Sequence, residues 1–207
     1  AKGEVLLFLN NDTEVITKDW LEQMLFYALQ PNVGTVGAKL YFPDDSIQHG
    51  GVIISSDGLP VHIYKGKSKS ESDKFLQLNL PQNYSAVTGA CMMLRKSIFI
   101  EMNGFDPAFQ LAFGDIDLCL RIQERGPRNV WTPYAELYHF ESKTRGYEDT
   151  PEKIERFIFE KMMFRKKWHD ISEEGDPYFN PNLTLNSGDC SINPNPGFPK
   201  PRSLKSE

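Results

Sequence analysis

A short apolar run near the start of the chain limits the folds open to it more than any other feature. Val5 to Leu9 are five consecutive apolar residues, and a polar segment from Asn10 to Glu14 follows at once. A run of this length is typical of a strand buried on both faces of a sheet, as in α/β proteins. Because open α/β sheets bind ligands where their strands end, the polar segment is the first candidate site.

The remaining patterns alternate between helix and strand, as an α/β fold requires. Predicted helices cover 19–30, 96–103, 115–124 and about 150–169, and predicted strands cover 33–41, 46–54, 85–94, 129–132 and 135–140. In the last helix, the apolar residues expected to pack on the body are Ile154, Phe157, Ile158, Met162 and Trp168. We therefore expect one domain over residues 1–174 and an extended, Pro- and Asn-rich tail over 175–207.

Composition excludes several classes of function. The net charge of −5 argues against nonspecific nucleic-acid binding, and the longest apolar run is far shorter than a transmembrane segment. Three widely spaced cysteines suit neither a disulfide framework nor a zinc cluster, and they favour a reducing compartment. We therefore expect a cytoplasmic protein without a transmembrane segment or a nucleic-acid partner.

The polar segment after the first strand contains the residue types of a divalent-cation site. Asp12 offers a carboxylate and Asn10 an amide oxygen two residues earlier, so both lie on one side of an extended backbone. Oxygen ligands of this kind suit Mg²⁺ or Mn²⁺, which would neutralise a pyrophosphate. The same residues also suit a turn held by Asx hydrogen bonds, with Asp12 or Thr13 as an N-cap.

A second acidic pair opens the predicted helix 115–124. Asp115 and Asp117 lie in its first turn, where the helix dipole stabilises ionised carboxylates and an exposed Asp can act as a general base. N-capping and surface charge explain the pair equally well. Arg121 is expected to pair with one of these carboxylates and to orient it.

Two further groups of residues are candidates. Thr88, Gly89 and Ala90 lie in the middle of the predicted strand 85–94, where a glycine permits close approach of a ligand or of another backbone. His49 and His62 flank a predicted turn and are expected to be able to face each other, without an assigned role.

A late histidine is the last candidate. His139 follows a predicted strand and precedes a polar loop that contains Lys143 and Arg145, so it can complete a metal or phosphate site. A single histidine is, however, more often an ordinary hydrogen-bonded residue.

Taken in order, these segments resemble those of a family 2 glycosyltransferase of the GT-A fold, the type that makes bacterial surface polysaccharide. Leu9 to Asp12 looks like the family's aspartate-any-aspartate motif, and Thr88 to Met93 looks like its acceptor-side strand. Gly104 to Asp106 and Asp115 to Arg121 are similar to the segment that leads to the helix of the catalytic base and to that helix, and Tyr138 to Phe140 resembles its late histidine. The resemblance covers residues 1 to about 170. It implies a GT-A-like mixed sheet flanked by helices that lacks its N-terminal nucleotide-binding portion.

The resemblance also implies a chemistry, the inverting transfer of a sugar from a nucleotide-diphosphate donor to a saccharide or lipid-linked acceptor. It implies a cytoplasmic location, peripheral at the inner face of the membrane, and Mn²⁺ or Mg²⁺ as cofactor. The residues that carry the implied roles are Asp115 as base with Asp117 in support, Asp12, Asn10 and His139 for the metal, Asn11 and Arg145 for the donor diphosphate, Thr88, Gly89 and Ala90 on the acceptor side, and Arg121 behind the base.

Two departures from the family pattern support an alternative function. Asn10 replaces the first acid of the metal motif, and Gly114 replaces the acid that commonly precedes the base. The alternative is a noncatalytic, degenerate sugar-binding or interaction module. Because Gly3 leads directly into the first strand, we expect the sequence to begin inside a domain, and we expect the strand edge left unpaired to favour a homodimer.

Overall fold

The computed structural model describes residues 1–69, 77–140, 150–184, 188 and 190–194. Over these residues the chain forms a mixed sheet with helices on both faces, as predicted. The strands are β1 (Val5–Leu9), β2 (Thr13–Val15), β3 (Val33–Tyr41), β4 (Ile47–His49), β5 (Val52–Ile54), β6 (Pro60–His62), β7 (Gln82–Tyr84), β8 (Cys91–Arg95) and β9 (Arg128–His139). The helices are α1 (Trp20–Ala28), α2 (Lys96–Glu101), α3 (Gly114–Glu124), α4 (Pro151–Lys167) and α5 (His169–Glu174), and a short 3-10 helix covers Gln77–Asn79.

The strand order brings the C-terminal ends of three strands to one edge of the sheet. The main path runs β1-β8-β3-β9-β2, with β4 paired to β3 and β7 to β9, while β5 and β6 form a separate two-stranded sheet. Strand β8 is antiparallel to both β1 and β3, and β3 is parallel to β9. Strands β1, β3 and β9 therefore point the same way, and the polar residues that follow β1 and β9 meet at one edge.

The two faces of the sheet carry separate cores. On one face α1 contributes Met24 and Ala28 to a cluster with apolar side chains of β3, β8 and β9. On the other face a larger cluster contains α3, Phe164 of α4 and Trp168. Burial of this apolar surface on both sides fixes the positions of the strand ends that carry polar residues.

Several strands differ from their predictions. Strand β1 is an edge strand of the described sheet with half-buried side chains, so the prediction that it is buried on both faces is wrong. The predicted strand 46–54 divides into β4 and β5 because Gly51 has a φ of 113° and no room for a side chain: a Cβ there would lie 2.1 Å from the Tyr84 ring.

The predicted strand 85–94 also begins later than expected, at Cys91. Thr88, Gly89 and Ala90 lie just before β8 rather than in mid-strand. The Gly89 N–H donates to the side chain of Asp115. The predicted strands 129–132 and 135–140 are in turn one continuous strand, β9, with an irregular register against β3.

Helix α4 buries a different face from the one predicted. Of the five apolar residues predicted to pack, Trp168 is buried, whereas Ile154, Phe157, Ile158 and Met162 are 40–65% exposed. Glu160 and Phe164, which were not predicted, are buried. The carboxylate of Glu160 accepts hydrogen bonds from the backbone N–H groups of residues 110–112, so this side of the helix faces the body. Ile158 lies two residues before Glu160, or about 200° around the helix, and therefore points outward.

Part of the segment predicted as a tail packs on the body. The buried carboxylate of Asp176 accepts from the backbone N–H of Ile54, and Leu183 is buried and forms a bridge with Ile192. No helix among the described residues has the length and apolar character needed to cross a bilayer.

Candidate functional site

The segment that follows β1 turns toward the end of β9. The Asn10 N–H donates to the carbonyl of Ala90 at 2.9 Å, and the Thr13 hydroxyl donates to the carbonyl of Asn10. The Asp12 carbonyl accepts from the N–H of Phe140, and β2 then pairs with β9. This tight turn places the Asn10 and Asp12 side chains beside His139.

One ring nitrogen of His139 contacts both Asp12 and Asn10. Nε2 of His139 lies 3.2 Å from Oδ1 of Asp12 and 3.0 Å from Nδ2 of Asn10. The side chains of His139 and Asp12 are 9% and 13% exposed, whereas Asn10 is exposed, so the cluster reaches the surface at Asn10. Asn11, in the same turn, is exposed.

Gln48 of β4 determines which nitrogen of His139 carries the proton. The Gln48 Nε2 donates to the His139 carbonyl at 3.2 Å. The other end of the amide, the Gln48 Oε1, lies 2.7 Å from the His139 Nδ1 and can only accept a hydrogen bond from it. Nδ1 is therefore protonated, and the lone pair of the neutral ring lies on Nε2, toward Asp12. This is the form of histidine that binds metals.

The donor set of this cluster fits a divalent cation. A carboxylate, an imidazole Nε2 lone pair and an amide that can turn its oxygen inward are ligands for Mn²⁺ or Mg²⁺. Among the described residues no group of three or more His, Cys, Asp and Glu side chains is arranged to hold a metal ion. The cluster therefore offers two such ligands, Asp12 and His139, together with the amide of Asn10.

Asp115 lies at the start of α3, next to the loop that carries Gly89. Phe113, directly before the helix, has a left-handed φ of 66°, and its ring stacks on Phe157 and Phe164. The Asp115 carboxylate accepts from the N–H of Gly89 at 2.6 Å and from the N–H of Ile116 at 2.9 Å. Burial raises the pKa of Asp115, against the effect of these hydrogen bonds, and a raised pKa makes a carboxylate a stronger base.

Two hydrogen bonds connect the cluster around Asp12 with Asp115. Asn10 binds the backbone of Ala90, and the neighbouring Gly89 binds the Asp115 side chain. The fit at Gly89 is close, since a Cβ there would lie 3.2 Å from the Asp115 Cβ and would require the Asp115 side chain to shift. The loop 88–90 thus joins the cluster after β1 to the start of α3.

Asp117 faces the interior. Its side chain has no exposed surface, and its oxygens contact the Arg121 Nε at 2.8 Å, the Lys167 Nζ at 2.7 Å and the Trp168 indole N–H at 3.1 Å. Arg121 also donates to the carbonyls of Met102 and Gly104. This network ties α3 to α4 and to the end of α2, behind Asp115.

His49 and His62 face each other, as predicted, with their Nδ1 atoms 3.0 Å apart. The Nε2 of His49 accepts from the N–H of Thr88, so His49 carries its proton on Nδ1 and donates it to His62. Burial lowers the pKa of His49 well below its ordinary value and that of His62 to about 4. The neutral pair supports the loop 88–90 from behind.

Sequence patterns missed two residues of this region. Gln48 stands one position before His49, but its partner lies 91 positions away and nothing in the local sequence indicates the contact. Glu160, on α4, holds the loop before α3, and the only signal is an acidic residue on an otherwise apolar helical face. Arg145, predicted to bind a diphosphate, lies outside the described residues.

No protein-family model matches the chain. It is 47% identical over 195 residues to the uncharacterized protein y4gI of Sinorhizobium fredii, and 37% identical over 197 residues to the O-antigen biosynthesis protein RfbC of Myxococcus xanthus. These alignments cover 91% and 95% of this chain but 21% and 15% of the two relatives, so the chain spans about a fifth of their length or less.

The fold is similar to that of solved glycosyltransferase structures. The crystal structure of GalNAc-T7 with UDP, GalNAc and Mn²⁺ superposes with a TM-score of 0.58 and 15% identity, over 83% of this chain and 33% of that one. At this identity the likeness concerns the fold alone. It confirms the predicted GT-A-like mixed sheet flanked by helices.

Proposed function

We propose that the chain carries the catalytic residues of an inverting glycosyltransferase of family 2. The enzyme moves a hexose or deoxyhexose from a nucleotide-diphosphate donor to a saccharide or lipid-linked acceptor in the synthesis of cell-surface polysaccharide. One observation carries this proposal. Two hydrogen bonds, Asn10 with Ala90 and Gly89 with Asp115, join two groups at the same end of the sheet. These groups are the cluster of Asp12, Asn10 and His139 and the carboxylate of Asp115.

Asp115 is the general base of the proposed reaction. Its carboxylate is held by the N–H groups of Gly89 and Ile116, which fix its direction, and its raised pKa favours acceptance of a proton. It removes the proton of an acceptor hydroxyl as that oxygen attacks the anomeric carbon and the nucleotide diphosphate departs. Thr88, Gly89 and Ala90 flank the acceptor, while Asp117 and Arg121 hold the helix of the base in position.

Asp12, His139 and Asn10 would hold Mn²⁺ or Mg²⁺ on the donor side, with Asn11 and Arg145 toward the diphosphate. When bound, such a cation neutralises negative charge on the leaving diphosphate. The Nε2 lone pair of His139 and the carboxylate of Asp12 support this assignment, because they lie 3.2 Å apart and have no proton between them in the tautomer set by Gln48.

The relatives support the pathway part of the proposal. RfbC of Myxococcus xanthus is named for O-antigen biosynthesis, and this chain aligns with it over nearly its whole length. We extend that role to this chain, together with a cytoplasmic site of action peripheral to the inner face of the membrane. A homodimer through the open edge of β1 remains part of the proposal.

Calorimetry and turnover test the proposed function. We expect the protein to bind UDP-, dTDP- or GDP-sugars more tightly with Mn²⁺ than with EDTA, and Asp12→Ala to remove this difference. Asp115→Asn should lower release of the nucleotide diphosphate by about 10²–10⁴-fold while leaving donor affinity nearly unchanged. The matched control is Asp19→Asn, which replaces an exposed carboxylate directly before α1. Near-normal turnover of Asp115→Asn contradicts its assignment as the base.

A noncatalytic sugar-binding module is the second candidate. The observation that favours it is the small number of charged ligands, because Asp12 and His139 are the two such groups of the cluster. Such a module binds saccharide without Mn²⁺ and releases no nucleotide diphosphate. Saccharide binding that persists in EDTA and in the Asp12→Ala variant, without turnover, would support it over the transferase.

A further inference from the structure

Gln48 is buried in the three-residue strand β4, and both ends of its amide group contact His139. It donates to the carbonyl of His139 at 3.2 Å and accepts from the Nδ1 of the same residue at 2.7 Å. Strand β4 is held on β3 by the pairs Leu40 with His49 and Tyr41 with Ile47. The sheet thus places the amide beside His139.

The two contacts together select one tautomer of His139. If the ring carried its proton on Nε2, its Nδ1 lone pair would face the Gln48 oxygen, and two acceptors would meet in a buried site. The alternative of turning the amide over would direct its NH₂ away from the His139 carbonyl. The arrangement with Nδ1–H satisfies all four groups.

Two groups face the His139 Nε2 and favour opposite tautomers: the Asn10 Nδ2, 3.0 Å away, donates to an Nε2 lone pair, whereas the Asp12 carboxylate accepts from an Nε2–H. Without Gln48 the ionised carboxylate, which forms the stronger hydrogen bond, would favour Nε2–H. The Asp12 Oδ1 lies 3.2 Å from the His139 Nε2, within reach of an Nε2–H donor. A proton on Nε2 would occupy the lone pair that a cation needs. Gln48 and Asp12 therefore compete for the same ring proton, at opposite nitrogens.

We propose that Gln48 is a positioning residue that keeps the proton of His139 on Nδ1, so that Nε2 is available to a divalent cation shared with Asp12. This inference rests on the proposed function for its cation and on the hydrogen-bond geometry alone for the tautomer. It gives Gln48 a role that neither its sequence neighbours nor the candidate motifs indicate.

Nitrogen NMR of the metal-free protein at pH 8 tests the tautomer directly. We expect the ¹⁵N shifts of His139 to report Nδ1–H in the wild type. In Gln48→Met, which has a similar shape and no acceptor, they should report Nε2–H. An Nε2–H wild type, or an unchanged tautomer in Gln48→Met, overturns the inference.

Titration with Mn²⁺ alone supplies the second measurement. Loss of a residue that orients a metal-binding histidine typically weakens affinity about 10–100-fold, and we expect this for Gln48→Met. The control is Gln82→Met in β7, which lies away from this cluster. Circular dichroism of each variant checks the fold, and the wild-type tautomer decides the inference even where Gln48→Met does not fold.

The outcomes separate this inference from the proposed function. Wild-type binding of Mn²⁺ that Gln48→Met retains within threefold overturns the role of Gln48 and leaves the transferase proposal intact. A wild-type protein that binds no Mn²⁺ overturns the cation role in both proposals. The NMR measurement then still decides whether Gln48 sets the ring of His139.

Discussion

Replacement of Asp117 by Asn should destabilise the protein far more than loss of a surface charge. The carboxylate has no exposed surface and contacts Arg121, Lys167 and Trp168 at 2.7–3.1 Å. An Asn side chain keeps one acceptor, so its NH₂ must face either the guanidinium of Arg121 or the indole N–H of Trp168. Either orientation leaves two donors in contact and a buried cation without its counter-charge.

The size of the effect follows from the exposure of the partners. Removal of one partner of a buried ion pair typically costs about 3–5 kcal/mol. The Lys167 side chain is 35% exposed and keeps its contact with Asp106, so its share is small and we expect the lower end, about 3 kcal/mol. For a chain of this length that corresponds to a fall in Tm of about 6–12 °C.

Urea unfolding at pH 7.5, followed by circular dichroism, measures this difference. The matched control is Asp106→Asn, which removes the exposed partner of the same lysine and should cost about 0–1 kcal/mol. If Asp117→Asn destabilises the protein by no more than this control, the network does not hold α3 on α4 as argued.

Three further outcomes follow from the same structure. Because burial lowers the pKa of His49, and that of His62 to about 4, the unfolded chain takes up protons first as the pH falls. The free energy of unfolding should be constant above about pH 6.5 and fall toward pH 4 by up to about 1.4 kcal/mol per pH unit per histidine. Urea titrations of His62→Gln should show a smaller fall per pH unit than those of the wild type. Gly89→Ala should displace Asp115 and lower turnover by up to about 100-fold, while the Mn²⁺ affinity measured by calorimetry stays unchanged. Unchanged turnover would contradict the close fit of Gly89 to Asp115. Glu160→Gln should weaken the hold on residues 110–112 and cost about 2 kcal/mol, with faster proteolysis there than in wild type.

Local patterns predicted the elements whose signals lie within a few residues. Periodicity and turn residues predicted the ranges of α1, β3 and α3 to within two residues at each end. Helix α4 begins near the predicted position, where the Thr150 hydroxyl accepts from the N–H of Lys153. These features need no knowledge of distant parts of the chain.

Features that depend on distant partners were not predicted. The start of β8 is delayed where the Gly89 N–H binds a side chain 26 positions away, and the inward face of α4 is chosen by Glu160 through a loop about 50 positions away. The proximity of Asp12 to His139 was expected only through the resemblance to a family. The roles of these residues in catalysis stay predictions.

The anchoring of Asp176 has a practical consequence for anyone who shortens this chain. The residue follows α5, in a region whose composition invites removal, yet its carboxylate caps a strand of the small sheet by accepting from Ile54. Truncation at Gly175 would leave that amide buried without an acceptor and would remove Phe179 and Cys190, which pack against the larger core. A shortened version intended for crystallisation or assay should therefore retain the stretch through at least Ile192.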